Sequence, residues 1–270
     1  MIDVAIIGSG PAALTAAIYT ARAGLETVVF EKKQYGGLLS EIDEIDNFPG
    51  FMGSGADLAK NLLEQTKKAG AKIEYGECES IEPLTIDGEK VEAKVVLIAT
   101  GSEPKKLPQK IDKPISYCAI CDAPLYKNKN VLVVGGGNSA GSSALTLAKI
   151  VNKLTLVNRS NLKAEQSLID QLKTFSNVEI FENTPLENKF FESIDGVFAF
   201  IGEQPATSFL PKEILNQDGY IITDKNQMSK IKGVFAAGDV REGSIRQAVT
   251  AAADGAAAAL KIESYLKELS

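Results

Sequence analysis

The sequence predicts an α/β protein with two parallel-sheet units, each begun by a strand, a glycine-rich turn, a helix and a second strand. The first unit runs over residues 4–31 and the second over residues 131–158. In both units, 23 positions separate the first turn glycine from the residue that ends the second strand. A repeated spacing is a stronger signal than either turn alone. We therefore expect two Rossmann-like nucleotide-binding domains.

Composition and charge exclude several classes of protein. The 270 residues allow two domains, and 44% hydrophobic with 24% charged residues is ordinary for a globular chain. A net charge of −6 argues against a duplex nucleic-acid partner, which needs a basic face. No apolar run approaches the ~18 residues of a membrane span. A strand-like run follows Met1 directly, so we expect no signal peptide and a cytoplasmic protein.

The absence of histidine narrows the chemistry further. It excludes Ser-His-Asp and Cys-His catalysis and removes the commonest metal ligand. Cys118 and Cys121 have the CxxC spacing of a zinc half-site, but Cys78 and a carboxylate would have to complete it, which is an uncommon ligand set. A redox pair is the better interpretation of CxxC. We predict no metal site, and we interpret Cys78 as an incidental thiol.

The first glycine-rich turn follows the apolar run at residues 4–7, which is typical of a buried parallel strand. Gly8, Gly10 and Ala13 form a GxGxxA pattern. Glycine allows the tight turn and lets the backbone approach a pyrophosphate, and the helix N-terminus supplies free amides. Glu31 ends the second strand, where a carboxylate accepts hydrogen bonds from a ribose diol. We predict that this unit binds a dinucleotide.

The second glycine-rich turn has the same form but a different strand end. Its pattern is carried by Gly135, Gly137 and Ala140. The strand ends in Asn158 where an acid normally contacts the NAD ribose, while Arg159 and Lys163 are suited to a 2′-phosphate. This favours NADP over NAD. The alternative is a relic nucleotide fold that no longer binds a ligand.

Further strand-like runs lie at residues 95–99, 196–201 and 233–239, and an alanine-rich helix is predicted at residues 247–260. The junction candidates are residues 103–114 and 223–232.

The cysteine pair is followed by an acid. Cys118 and Cys121 are one helical turn apart, a separation that a disulfide spans without moving the backbone. The thiolate is the attacking species, and CxxC at a helix start lowers the thiol pKa. Asp122 is the available proton donor and acceptor because the chain lacks histidine. The alternative for Asp122 is a helix cap or a surface carboxylate.

Together these motifs resemble the low-molecular-weight thioredoxin reductases over essentially the whole chain. The matching segments are residues 8–13, 36–37, 47–50, 99–101, 118–122, 135–140, 238–240 and 246–248. A Cys pair in the second nucleotide domain, followed by Asp, separates this family from the glutathione-reductase type. That type needs a C-terminal His, which this chain lacks.

The resemblance implies an α/β fold of two Rossmann-like, three-layer ββα domains. Residues 1–112 and 234–270 would bind FAD, and the inserted domain 113–233 would be NAD(P)-binding-like and carry the CxxC. In this family the inserted domain swings as a rigid body. Family members are homodimers.

The resemblance also assigns roles to individual residues. Cys121 would lie next to the flavin, Cys118 would attack the disulfide of thioredoxin or a thioredoxin-like protein, and Asp122 would be the acid. The positions that match FAD contacts are Gly8, Gly10, Pro11, Ala12, Glu31, Gly36, Gly37, Asn47, Thr100, Gly101, Gly238, Asp239, Arg246, Gln247 and Ala248. The positions that match the NADP site are Gly135, Gly137, Asn138, Ser139, Ala140, Arg159 and Lys163.

Several departures from the family pattern leave the electron donor open. Residues 158–163 keep one arginine and one lysine of the NADPH-reading motif, Ser142 and Ser143 replace an acidic pair, and Leu38 replaces a glutamine. The second domain also has little room for its usual hairpins. Each lost contact costs about 1–3 kcal/mol, so two or three of them weaken NADPH binding by roughly 10²- to 10⁴-fold.

Relatives that take electrons from ferredoxin show similar departures, so NADPH and reduced ferredoxin both remain as donors. A lysine-rich stretch at residues 105–129 is either a basic patch for an acidic ferredoxin or a set of solvated linker charges. A redox or nucleotide sensor without turnover is the alternative from another functional class. A ferredoxin–NADP reductase is disfavoured because that group lacks CxxC.

Overall fold

The computed structural model describes residues 2–42, 44–108 and 110–269, with the backbone alone at Cys121. The strands are β1 Ile2–Ile7, β2 Thr27–Glu31, β3 Ile45–Phe48, β4 Phe51–Gly53, β5 Lys72–Tyr75, β6 Cys78–Ile81, β7 Leu84–Ile86, β8 Glu89–Lys90, β9 Ala93–Ile98, β10 Ser102–Pro104, β11 Ile115–Ser116, β12 Asn130–Val134, β13 Lys153–Val157, β14 Val178–Phe181, β15 Gly196–Ala199, β16 Glu203–Pro205 and β17 Val234–Ala236. The α-helices are α1 Pro11–Arg22, α2 Gly55–Ala69, α3 Ala119–Asp122, α4 Asn138–Ala148, α5 Gln166–Lys173 and α6 Ala248–Glu268. Within these described residues, none of the helices combines the length and apolarity needed to cross a bilayer.

The chain divides into two compact units. The first is Met1–Glu103 together with Gln204–Ser270, and the second is Pro104–Glu203. The chain passes between them within β10 and β16, which pair with each other. The second unit is therefore an insertion into the first.

The second unit starts and ends earlier than the predicted domain 113–233. Residues 204–233 belong instead to the first unit. The reason is hydrophobic burial, because Leu210, Ile214 and Ile221 pack in the same core cluster as the strands of the first sheet. The prediction placed the domain junction in the polar segment 223–232. It overlooked the apolar residues that precede this segment and pack against the first sheet.

The first unit is built on a parallel sheet in the order β17-β9-β1-β2-β5. Both faces of its central strands are buried, which explains their unbroken apolar sequences. On one face, α1 and α6 pack against Val4 and Ile6. On the other face, the antiparallel sheet β6-β7-β8 packs against Ala5 and Ile7. The predicted three-layer ββα architecture is confirmed in this unit.

Helix α6 is longer than predicted and ends at Glu268. Its buried stripe contains Ala258, Ile262 and Leu266 at i, i+4 spacing. The helix was predicted from its high alanine content, so its predicted end was residue 260. Beyond that point, larger apolar residues continue the same buried stripe.

The second unit is a parallel sheet in the order β11-β15-β12-β13-β14. Helices α3 and α4 cover one face, and a 3-10 helix at Asn188–Phe191 covers part of the other. No strand lies between Phe181 and Gly196, all of whose intervening residues are described. This agrees with the expectation of a shortened second domain.

We predict that Gly255→Ala destabilises the first unit. A Cβ at Gly255 would lie 2.0 Å from the carbonyl oxygen of Ala12, so α6 and α1 would have to move apart. Overpacking of this kind costs about 1–3 kcal/mol, which opposes the ~1 kcal/mol that alanine gains in helix propensity. The measurement is the urea midpoint of unfolding of the purified protein. Ala257→Ser, which adds one atom to the exposed side of the same helix, serves as the control. A Gly255→Ala protein more stable than the parent would contradict the close packing.

Candidate functional site

The first glycine-rich turn leads from β1 into α1 and approaches the end of β9. Gly8 has φ +101°, and a Cβ there would lie 2.5 Å from the carbonyl oxygen of Ala99. Gly10 precedes α1 without a side-chain cap, and a Cβ on it would have no heavy atom within 4 Å. The space beside Gly10, at the N-terminus of α1, is therefore open. This cradle fits a pyrophosphate, because backbone N–H groups at a helix N-terminus bind anions.

Glu31 is the last residue of β2 and is buried beside this turn. One of its carboxylate oxygens accepts a 2.7 Å hydrogen bond from Ser9 Oγ, and the other accepts a 2.8 Å bond from the backbone N–H of Lys33. The backbone N–H of Gly36 donates to Ser9 Oγ. Gly37 lies against Gly10, with 3.8 Å between its Cβ position and the Gly10 Cα. These contacts orient the carboxylate at the edge of the cradle, where a ribose would lie.

Two other chain segments meet the same turn. Gly238 follows β17, and a Cβ there would lie 2.8 Å from the Ala12 Cβ in the first turn of α1. Asp239 accepts a 3.0 Å hydrogen bond from Ser244 Oγ. The backbone of Thr100, after β9, lies against Gly8. The residues predicted at 100 and 238–239 are thus brought to the N-terminus of α1.

Sequence reasoning missed the ion pair that holds the turn after β17. Arg241 and Asp254 form two hydrogen bonds of 2.8 and 3.0 Å, with about a quarter and a fifth of their side chains exposed. Asp254 also accepts from the Gly238 N–H at 2.8 Å and from the Gln227 side chain. No local pattern links an aspartate inside an alanine-rich helix to an arginine 13 residues earlier.

The remaining predicted FAD residues lie near the start of α6. Asn47 Nδ2 donates to Gln247 Oε1 at 3.3 Å, and Gln247 forms a capping box with Thr250 ahead of Ala248. Arg246 has φ +59° and stacks its guanidinium over the Tyr220 ring, whose hydroxyl it also contacts. Asn47 and Gln247 are therefore neighbours, although 200 positions separate them.

The sulfur of Cys118 is in a disulfide bond. Cys118 is half-buried and directly precedes α3, the short helix that contains Cys121 and Asp122. The side chain of Cys121 lies outside the described part of the structure. Ser116 Oγ holds the backbone of Cys118 by accepting from its N–H and donating to its carbonyl, both at 3.1 Å. The backbone of Cys118 is thus hydrogen-bonded to the end of β11.

Cys78 is a free thiol with a different environment. It lies 8% exposed in the core of the first unit and donates to the carbonyl of Ser80. Burial raises the pKa of the Cys78 thiol to about 11, so it stays protonated near neutral pH. Its neighbours along the chain are polar, but its side chain is a core residue.

The second glycine-rich turn is covered by its own chain. A Cβ at Gly136 would lie 2.2 Å from the amide nitrogen of Asn158, which donates to the carbonyls of Ser160 and Asn161 at 2.8 and 3.0 Å. The N–H groups of Lys163 and Ala164 both donate to the carbonyl of Gly136. The segment 158–164 is therefore fastened onto the turn.

A carboxylate also lies at the start of α4. Glu165 accepts from the side chain of Asn138 at 3.0 Å, and its N–H donates to Asn138 Oδ1 at 2.8 Å. A negative charge at this helix N-terminus repels a pyrophosphate. Arg159 and Lys163 are exposed, whereas Gly137 keeps open space around it. The predicted NADP residues are thus brought together, but with an acid among them.

Two dinucleotide-type turns and a disulfide within one chain define an oxidoreductase that acts on disulfides. The pyridine nucleotide-disulphide oxidoreductase family matches residues 2–255. The "34.2 kDa protein in rubredoxin operon" of Clostridium pasteurianum is 40% identical over 98% of this chain and 97% of its own length. The thioredoxin reductase of Bacillus subtilis is 36% identical over 99% of this chain and 95% of its own length. The crystal structure of Lactococcus lactis thioredoxin reductase has a TM-score of 0.87 at 30% identity, covering 99% of this chain and all of that one.

The chain belongs to the pyridine nucleotide-disulphide oxidoreductase family. It is an FAD-dependent oxidoreductase. The resemblance predicted from its motifs is confirmed.

We predict that Asp254→Asn destabilises the protein by about 1.5–3 kcal/mol. It removes the charge from a partly buried ion pair with several hydrogen-bond partners. The measurement is the free energy of unfolding in urea. The control is Glu263→Gln, because Glu263 pairs with the largely exposed Lys267, and such pairs contribute ~0–1 kcal/mol. Equal effects of the two substitutions would contradict the stabilising role of the Asp254 network.

Proposed function

We propose that this protein reduces thioredoxin, or a thioredoxin-like protein, by dithiol–disulfide exchange at Cys118 and Cys121. The observation that carries the proposal is the disulfide bond of Cys118 in the inserted unit of a two-unit flavoprotein fold. The relatives named above as thioredoxin reductases support the choice of substrate. When bound, FAD supplies the two electrons that open this disulfide.

Reduction of the substrate disulfide takes two thiol–disulfide exchange steps. The Cys118 thiolate attacks one sulfur of the substrate disulfide, which forms a mixed disulfide and releases one substrate thiolate. The Cys121 thiolate then attacks Cys118, which restores the protein disulfide and releases the second substrate thiolate. Asp122, which is half-buried at the end of α3, donates a proton to the substrate thiolate that leaves.

We assign the FAD site to the first unit and to the predicted residues that surround the N-terminus of α1. The open space at Gly10, the oriented carboxylate of Glu31 and the approach of Gly238 to Ala12 support this assignment. Asn47, Gln247 and Arg246 would lie farther along the cofactor.

Exposed apolar side chains near the disulfide support a protein substrate. Ile120 is 39% exposed and Leu125 is 67% exposed, within a few residues of Cys118. Exposed apolar groups beside a reactive site provide contact area for a partner. Met52 and Ile245 in the first unit are 79% and 72% exposed and support the proposed homodimer. A cytoplasmic location is proposed from the sequence alone.

We predict that Cys118→Ser lowers steady-state thioredoxin reduction by at least ~10³-fold without changing the flavin spectrum. The hydroxyl cannot form the mixed disulfide. Cys121→Ser should instead trap a covalent complex with thioredoxin that dithiothreitol releases. The assays are turnover and non-reducing gel electrophoresis.

The matched control is Cys78→Ala, which should keep full turnover because Cys78 is a buried, protonated thiol. Full turnover by the Cys118→Ser variant would contradict the proposal.

A second candidate, in which reduced ferredoxin and not NADPH is the electron donor, is favoured by the second glycine-rich turn. The amide of Asn158 covers Gly136, and Glu165 puts a negative charge at the start of α4. Both features oppose a bound pyrophosphate. The open space at Gly137 supports the NADPH route.

We predict that reduced ferredoxin bleaches the flavin anaerobically and that NADPH and NADH at micromolar concentration do not. The measurement is flavin absorbance with the three donors in parallel. Gly137→Val blocks the second turn, so it should leave the ferredoxin result unchanged. Bleaching by NADPH that Gly137→Val abolishes would overturn the ferredoxin candidate. A protein that no donor reduces would be the sensor of the alternative hypothesis.

A further inference from the structure

Two tyrosines lie side by side at the carboxyl edge of the first sheet. The rings of Tyr35 and Tyr75, which we call the tyrosine pair, have centroids 4.7 Å apart and an interplanar angle of 35°. Tyr75 is the last residue of β5 and is 64% exposed, so much of it remains accessible although it contacts Tyr35. The proposed disulfide exchange does not use either residue.

Strand order places the tyrosine pair next to the ribose position. Strand β5 is the neighbour of β2 on the side away from β1, and Tyr75 is the register partner of Glu31. The N–H of Gly76 donates to the Glu31 carbonyl at 3.0 Å, which holds the two strand ends together. Tyr35 reaches this place from the loop after β2.

A dinucleotide bound across this edge has a fixed direction. Its pyrophosphate would lie at the N-terminus of α1 and its ribose at Glu31, because ligands lie outside the carboxyl ends of the strands. The base would therefore continue past β2 toward the end of β5. An adenine there meets aromatic faces, and stacking of a base on an aromatic side chain is favourable.

We propose that the tyrosine pair is the adenine-binding wall of the FAD site, with the Tyr75 ring as the exposed stacking face and Tyr35 as its support. The inference rests on the FAD site assigned above to the first unit. The two residues are a cofactor-recognition element and take no part in electron transfer.

The environment of Tyr35 is consistent with a supporting role. Burial raises the pKa of Tyr35 to about 12, and a hydrogen bond with Tyr75 acts in the same direction. The Tyr35 hydroxyl is therefore neutral at physiological pH and adds no charge beside the base.

The first test measures the affinity of the deflavinated full-length protein for FAD and for AMP. Tyr75→Ala and Tyr35→Ala should each raise both dissociation constants by roughly 5- to 100-fold, which is the effect of losing a base-stacking contact. Tyr75→Phe and Tyr35→Phe keep the aromatic faces and should retain affinity within about 3-fold. The control is Tyr19→Ala, which removes a 45% exposed tyrosine from the far end of α1.

The second test uses the absence of tryptophan from the chain. Tyr75→Trp supplies a single indole, whose emission should be quenched when AMP is added to the deflavinated protein. Tyr19→Trp should not respond. This readout needs neither activity nor a truncated side chain, so it remains valid if an alanine variant misfolds.

The outcomes separate this inference from the proposed function. Unchanged FAD and AMP affinities in both alanine variants, or a silent Tyr75→Trp, would refute the adenine wall while the protein still binds FAD. A parent protein that binds no FAD would instead refute the proposed function. Loss of FAD affinity in the phenylalanine variants as large as in the alanine variants would show that hydroxyl contacts act and stacking does not.

Discussion

Close backbone approach at three glycines is the constraint on which the cofactor cradle depends. Gly8 meets the end of β9, Gly238 meets the first turn of α1, and Gly255 meets the carbonyl of Ala12, each at a distance that a Cβ would violate. Because glycine has no Cβ, β9, α6 and the turn after β17 can approach the N-terminus of α1 closely. That convergence leaves open space beside Gly10 at the N-terminus of α1, and a helix N-terminus is where anions bind.

The same strand, turn and helix occur twice, but the two turns differ in charge and in what covers them. In the first, the acid is buried at the strand end and fixed by Ser9, at the edge of the cradle where a ribose would lie. In the second, Asn158 packs on the turn and Glu165 stands at the helix start. Fold similarity alone therefore does not decide whether a unit binds a nucleotide, since side chains around the turn set the local potential.

Contacts between distant segments complete the first unit. Arg241, Asp254 and Gln227 link the turn after β17 to α6, and Asn47 reaches Gln247 across 200 positions. Residues 204–233 join this unit because their apolar side chains bury against its sheet. Apolar anchors within residues 204–233 thus determine where the first unit resumes.

The sequence by itself determined the two βαβ units and the CxxC segment, and its motifs together indicated the family, whose resemblance implied the three-layer architecture. The βαβ units follow from local signals: continuous apolar strands, glycine turns and a repeated spacing. Only the tertiary structure decided the unit boundaries, the Arg241–Asp254 pair, the burial of Cys78 and the covering of the second turn by residues 158–165. Each of these depends on side chains brought together from separate segments, and pairwise contact at long sequence separation leaves no periodic pattern in one chain.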